Sequence, residues 1–118
     1  MLAKDALGRY GEDLAARHLV GAGFTVLARN WRCPVGEVDI VARDGDVLVF
    51  AEVKTRRSTA YGHPSEAVTP RKLRKLRELA LSWLREHPGG GGELRFDVIS
   101  VIVPVRGGAQ LEHLRGVQ

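Results

Sequence analysis

Two acids and a lysine, Asp39, Glu52 and Lys54, are the residues of this 118-residue chain whose types and spacing carry the clearest chemistry. Asp39 lies in the alternating stretch Glu37-Val38-Asp39-Ile40-Val41-Ala42. The turn signal Arg43-Asp44-Gly45-Asp46 follows, and Val47 to Lys54 reads as the return strand of a β-hairpin. An even loop that sets Arg43 against Asp46 pairs Glu37 with Glu52 and Asp39 with Phe50, so Asp39 and Glu52 become diagonal neighbours on one face. Positions related in this way lie within about 5 to 8 Å, and Glu37, Asp39, Glu52 and Lys54 then converge at one end of the hairpin. An odd loop or a bulge instead sends Asp39 to the other face. Three carboxylates at the end of an otherwise apolar face are costly unless a cation holds them. A hard divalent ion, Mg²⁺ or Mn²⁺, bound through one or two carboxylates, backbone oxygen and water, is the natural partner. The plainer alternative for Glu52 and Lys54 is an ion pair at the end of the sheet, and Glu37 reads as a neighbour of the site rather than as a ligand.

Charge is unevenly spread along the chain. Residues 54–77 carry eight cations against the single anion Glu66, a local balance of +7 in a chain of net +4, so the remainder carries −3. A basic segment on such a background suits a partner that presents phosphates, although a solvated basic face is the bland alternative. Arg71 and Lys72 fall in the first turn of an expected helix, where the macrodipole disfavours cations by about 0.3 to 1 kcal/mol each. Something other than helix stability must favour them, and a phosphate backbone lying across that helix start would do so. Arg56, Arg57, Arg71, Lys72 and Lys75 are therefore the expected nucleic-acid contacts.

The elements that must position these residues are legible to different degrees. Residues 8–22 read as a helix, with Leu14, Ala15, Leu19 and Ala22 at helical spacing. Phe24 to Ala28 reads as a short strand and Asn30 to Gly36 as a turn or loop. Val47 to Lys54 is apolar on both faces, Val47, Val49, Ala51 and Val53 against Leu48, Phe50, Glu52 and Lys54, as a central strand covered on both sides would be. Thr55 to Val68 reads as a loop close to the site, and His63 within it is the one histidine expected near the chemistry. Thr69-Pro70 starts a second helix that runs to about Glu86, with Leu73, Leu76, Ala80, Trp83, Leu84 and His87 on one face. Leu94 to Val103 is a strand, with Asp97 a structural partner of Arg95 or a loop donor, and Ala109 to Leu114 is a further edge strand.

The length fits one domain over residues 1–118, and 44% hydrophobic with 27% charged residues lies in the globular range. No apolar run reaches the roughly 20 residues that cross a bilayer, and the first residues lack the core of a signal peptide, so no membrane partner and a cytoplasmic location are expected. The lone Cys33 has no partner for a disulfide or a CxxC metal site and reads as a plain thiol.

Gly36-Glu37-Val38-Asp39, a gap of twelve residues and Glu52-Val53-Lys54 together resemble the PD-(D/E)XK nuclease motif, with Val38 where its name would place proline. With Arg9-Tyr10-Gly11-Glu12, Arg29-Asn30, the triplet extended to Thr55-Arg56, and Phe96-Asp97-Val98, residues 8–103 resemble the YraN family, which is similar to archaeal Holliday junction resolvases. The resemblance implies an α/β restriction-endonuclease-like core, a mixed central sheet of four to five strands flanked by helices in the order α-β-β-β-α-β-β. It implies that Asp39 and Glu52 ligate the metal with the backbone carbonyl of Val53, and that Lys54 orients the attacking water and stabilises charge on the phosphate. Glu12, which leans to the packed side of its helix, would be a supporting carboxylate. The implied reaction is in-line hydrolysis of a phosphodiester leaving a 5′-phosphate. With only seven aromatic residues and no stacking platform, branched or duplex DNA is the better substrate than single strands. The alternative is a nucleic-acid-binding or scaffolding protein that keeps the nuclease fold with little or no cleavage. Junction resolution needs two sites, hence a homodimer, for which Val101, Val103 and Leu111 are the apolar candidates.

Overall fold

A computed structural model of the chain describes residues 2–58, 60, 68–89 and 92–118; His63 and its neighbours 61–67 lie outside them. The element order is α1 (Leu2–Gly21), β1 (Thr25–Cys33), β2 (Gly36–Asp44), β3 (Val47–Arg56), α2 (Pro70–Glu86), β4 (Glu93–Ile102) and β5 (Gln110–Leu114). The strands form one mixed sheet in the order β1-β2-β3-β4-β5, as expected for an α/β chain with helices on a central sheet. Only β3 and β4 are parallel, and α2 is the crossover between them. No helix among the described residues is long and apolar enough to cross a membrane.

Each face of the sheet carries one helix. Ala15, Leu19 and Phe24 pack on Ile40, Ala42, Val49, Ala51, Ile99 and Val101. On the other face Leu76, Leu79, Ala80 and Trp83 of α2 pack on Val38, Val41, Leu48, Phe50 and Phe96. Strand β3 contributes Val49 and Ala51 to the first cluster and Leu48 and Phe50 to the second, which is the two-sided burial its apolar run implies. Thr69 caps α2, its hydroxyl accepting from the Lys72 N–H at 3.1 Å with Pro70 in the first turn, so this boundary was fully encoded locally.

Two expectations are corrected. Helix α1 starts at Leu2 rather than Gly8, because Leu-Ala-Lys-Asp-Ala-Leu are good helix formers with no breaker among them. It ends where Gly23 takes φ +92° and the Phe24 N–H returns to the Leu19 carbonyl. Strand β1 does not stop at Ala28 but continues to Cys33, with Asn30 at φ +51° carrying the chain through what reads as a turn. Of the apolar residues named for a homodimer, Val101 is fully buried, while Val103 and Leu111 are partly buried against the α1-side core.

Asp97 organises a second, structural polar cluster. Its carboxylate is fully buried and accepts from Arg95 Nε at 2.9 Å, from the Gly116 N–H at 3.0 Å and from His113 Nε2 at 2.8 Å. Burial alone would raise its pKa, but these donors outweigh it and bring the group down to about 2. Arg95 also reaches Asp44 at 3.0 Å, which ties β4 to the end of β2. His113 Nδ1 in turn meets His18 Nε2 at 3.1 Å, which ties β5 to α1.

Candidate active site

The hairpin brings the two acids together by a register different from the expected one. Asp44 faces Val47, Arg43 faces Leu48 and Ile40 faces Ala51, so the loop is Gly45-Asp46 rather than Asp44-Gly45. Gly45 has φ +59°, and a two-residue turn with positive φ at its first position takes glycine there, which expels Asp44 into the strand. Glu37 therefore does not face Glu52, nor Asp39 Phe50. The slide keeps each side chain on its face, but it sets Asp39 level with Glu52, one rung beyond the last paired residues.

Beyond that rung β2 and β3 separate, and the Asp39 side chain fills the gap. Its Oδ2 accepts from the Val53 N–H at 2.8 Å, replacing the strand carbonyl that a continued ladder would supply. Burial raises the Asp39 carboxyl to about 6; the Val53 hydrogen bond opposes this, and the charges of Glu12, Glu52 and Glu37 add to it. Asp39 thus senses an acid from α1, one from β3 and one from its own strand. Glu12 supplies a further sign of unmet charge, since its buried Oε1 has no hydrogen-bond partner among the described residues.

Why α1 can bring Glu12 so close is answered by the residue before it. Gly11 is buried where α1 meets β3, and a Cβ there would stand 1.9 Å from Thr55 Oγ1. Sequence reasoning gave Gly11 no structural role. The signal, a glycine inside an otherwise good helix, was present, but its partner lies 44 residues away.

Cations close the other side. Lys72 Nζ lies 2.5 Å from Glu52 Oε1, and Lys54 Nζ lies 3.4 Å from the same oxygen. The first-turn lysine of α2 is therefore compensated within the chain, which answers part of the question its unfavourable place on the helix dipole raised. Lys75 reaches the site past Gly36, where a Cβ would stand 3.1 Å from Lys75 Cε. Glu37, Asp39, Glu52, Lys72 and Lys75 line a cleft of about 160 Å³ floored by Val38, Leu76 and Leu79. Glu37 itself is drawn outward to Arg32 Nε at 2.6 Å, as befits a neighbour of the site. Of the remaining basic residues, Arg57 reaches the Val103 carbonyl at 3.4 Å, Arg56 is half-buried at the end of β3, and Arg71 is exposed in the first turn of α2.

Two carboxylates from diverging strands, with backbone and open cleft beside them, form a donor set that fits a hard divalent ion. Burial, with the nearby Glu12, Glu52 and Glu37, raises the Asp39 carboxyl, and the buried Glu12 Oε1 has no hydrogen-bond partner among the described residues, so a cation here would relieve both. Among the described residues no group of three or more His, Cys, Asp or Glu side chains is placed to hold a metal ion, so any ion here would rest on the two carboxylates, backbone oxygen and water.

Comparison with known proteins agrees with the YraN-family resemblance. Residues 11–101 match the model of a family described as Uncharacterised protein family UPF0102. A UPF0102 protein of Streptomyces coelicolor is 59% identical over 119 residues, covering 99% of this chain and 92% of that one. A UPF0102 protein of Beutenbergia cavernae is 58% identical over 117 residues, covering 99% of each chain. Since the match extends over most of the chain, and its span of residues 11–101 takes in the cleft, the protein belongs to the UPF0102 family, the YraN family of its sequence motif.

Proposed function

We propose that this chain is a metal-dependent DNA endonuclease of the resolvase-like kind, hydrolysing phosphodiester bonds in branched or duplex DNA. The observation that carries the reading is the convergence of Asp39, Glu52 and Lys54 at the open end of the β2–β3 hairpin, beside the basic first turns of α2. Asp39 and Glu52, with the carbonyl of Val53, would hold Mg²⁺ or Mn²⁺. When bound, the ion would supply Lewis-acid polarisation of the scissile phosphate. Lys54, anchored on Glu52, orients the attacking water and stabilises charge on the phosphoryl oxygens, and its rotatable ammonium suits that task. Lys72 and Lys75 hold the phosphate over the cleft, while Arg56 and Arg57 at the end of β3 and Arg71 at the start of α2 extend the basic surface. Glu12 supports Asp39 from α1.

One observation favours a second reading, a nucleic-acid-binding or scaffolding protein with little or no cleavage: Glu52 Oε1 is already held by both Lys54 and Lys72. A single assay separates the two. Four-way junction, flap, duplex and single-stranded DNA, with RNA counterparts, are incubated with protein and Mg²⁺ or Mn²⁺ beside an Asp39→Ala control. Metal-dependent product that the control loses supports the nuclease, whereas binding without such product supports the second reading. Junction resolution also requires two sites, so a solution mass showing only monomer would count against the resolvase analogy.

A further inference from the structure

We propose that Asn30 is a positioning residue for Asp39, acting through its backbone; this deepens the nuclease reading by naming what places its first acid. Asn30 is the one non-glycine residue with positive φ among those described, at +51°, and it sits in the middle of a nine-residue strand. Left-handed backbone inside a strand is unfavourable for side chains other than asparagine and aspartate, and impossible to hold comfortably for branched ones. The Asn30 side chain is exposed and makes no hydrogen bond among the described residues, so nothing in its contacts explains the residue type.

The pairing does explain it. Arg29 faces Ile40 and Trp31 faces Val38, which places Asn30 level with Asp39. Across this rung both strands lose their two-residue alternation. In β2, Val38 and Val41 enter the α2-side cluster although they are three residues apart, while Ile40 enters the α1-side cluster. In β1, Ala28 and Trp31, again three apart, both pack on the α2 side. A regular strand cannot do this, because residues three apart point to opposite faces. The phase slip is therefore shared between the two strands and centred on Asn30 and Asp39. It occurs where β2 leaves β3 and where the Asp39 carboxylate turns to take the Val53 N–H. The left-handed residue lets β1 follow the slip and stay paired on both sides of it, so β2 is held in the conformation that aims Asp39 into the site.

The test compares Asn30→Gly, which adopts this φ freely, with Asn30→Val, which resists it, and with Asn30→Ala as the milder variant should the valine form fail to fold. The primary readout is amide hydrogen exchange at Val53, whose N–H bonds the Asp39 carboxylate, normalised to Val49 in the same strand, whose ladder is regular. Asn30→Val, or Asn30→Ala, should speed Val53 exchange by about tenfold relative to Val49, and Asn30→Gly should leave the ratio within about twofold. Calorimetric Mn²⁺ binding should weaken in the same order. Equal ratios in all variants, or a loss in Asn30→Gly as large as in Asn30→Val, would overturn the proposal. Because the exchange ratio needs no turnover, it separates failure of the positioning role from failure of the nuclease reading, which shows only as absent cleavage in the unaltered protein.

Discussion

Replacing Gly11 by alanine should push α1 off the sheet, and the size of the effect follows from three distances. An alanine Cβ would lie 1.9 Å from Thr55 Oγ1, 2.7 Å from its Cγ2 and 2.8 Å from its Cβ. Rotating the threonine about χ1 can empty only one of the two close γ positions, because its two γ heavy atoms fill two of the three staggered sites, and it leaves the third contact, because the Thr55 Cβ is fixed to the backbone of β3. Ordinary carbon contacts begin near 3.5 Å, so the helix must withdraw by about 0.7 Å. That loosens Ala15 and Leu19, both fully buried one and two turns further on. Overpacking of this kind costs about 1 to 3 kcal/mol and helix propensity returns at most about 1 kcal/mol. A net loss of about 1 kcal/mol, up to about 2, corresponds to a melting temperature lower by about 4 to 8 °C in a domain of this size. Gly8 of the same helix provides the control, since a Cβ there meets nothing within 4 Å. Gly8→Ala should raise the melting temperature by a few degrees, about 1 kcal/mol. Thermal unfolding by circular dichroism reads both, and Thr55→Gly combined with Gly11→Ala should recover part of the loss. Metal-dependent cleavage should fall further than stability, since Glu12 moves with the helix and a displacement near 1 Å can cost about a hundredfold. If Gly11→Ala were as stable as Gly8→Ala, the close approach of α1 to β3 would not be what fixes Glu12 beside Asp39.

Asp39→Asn should stabilise the metal-free protein at pH 8. A carboxyl raised from 3.8 to about 6 loses stability as pH climbs through that window, by about 3 kcal/mol at its end, so the gain should vanish below pH 4 and urea unfolding at both values checks it. Mg²⁺ should raise the melting temperature of the unaltered protein and not that of the Asn variant. Asp97 has the opposite sign: its carboxyl falls from 3.8 to about 2 on folding, so about 2 kcal/mol of stability present above pH 4 is lost as pH drops through that range, and acid titrations of unfolding should show it. Asp97→Ala should cost about 3 to 5 kcal/mol at neutral pH, because Arg95 and His113 lose a buried partner. Thr69→Ala should cost about 1 kcal/mol by removing the α2 cap and should weaken DNA binding, since the turn it holds carries Lys72.

What could be read from the sequence was what short stretches determine. Thr69-Pro70 announces α2 by itself, the two-sided apolar run of β3 announces a central strand, and Gly-Glu-x-Asp with Glu-x-Lys names the acids. The errors share a cause. Asn30, Pro34 and Gly36 look like turn residues, yet Asn30 continues a strand because β2 beside it slips phase at the same rung. The hairpin register depended on which loop position Gly45 would take, and a choice between neighbouring residues moves every partner by two. Gly11 against Thr55 and Lys72 against Glu52 join elements distant in the chain, and no local pattern encodes them.

The parallel seam between β3 and β4 has a consequence for how the protein is made. Val47 pairs with Glu93, so this seam closes a span of 46 residues, whereas β1, β2 and β3 are joined by short turns. Local hairpins form in microseconds and long-range pairing is slower. Asp39, Glu52 and Lys54 thus emerge from the ribosome and can pair before α2 and β4 exist. During that interval one whole edge of β3 has no strand beside it, and Lys72 has not arrived to offset Glu52. The nascent chain therefore carries its acids early, with Lys54 but not yet Lys72 beside Glu52, on a strand edge prone to pairing with other chains. The cleft is complete only once the crossover helix has laid its basic turn beside the ends of β2 and β3.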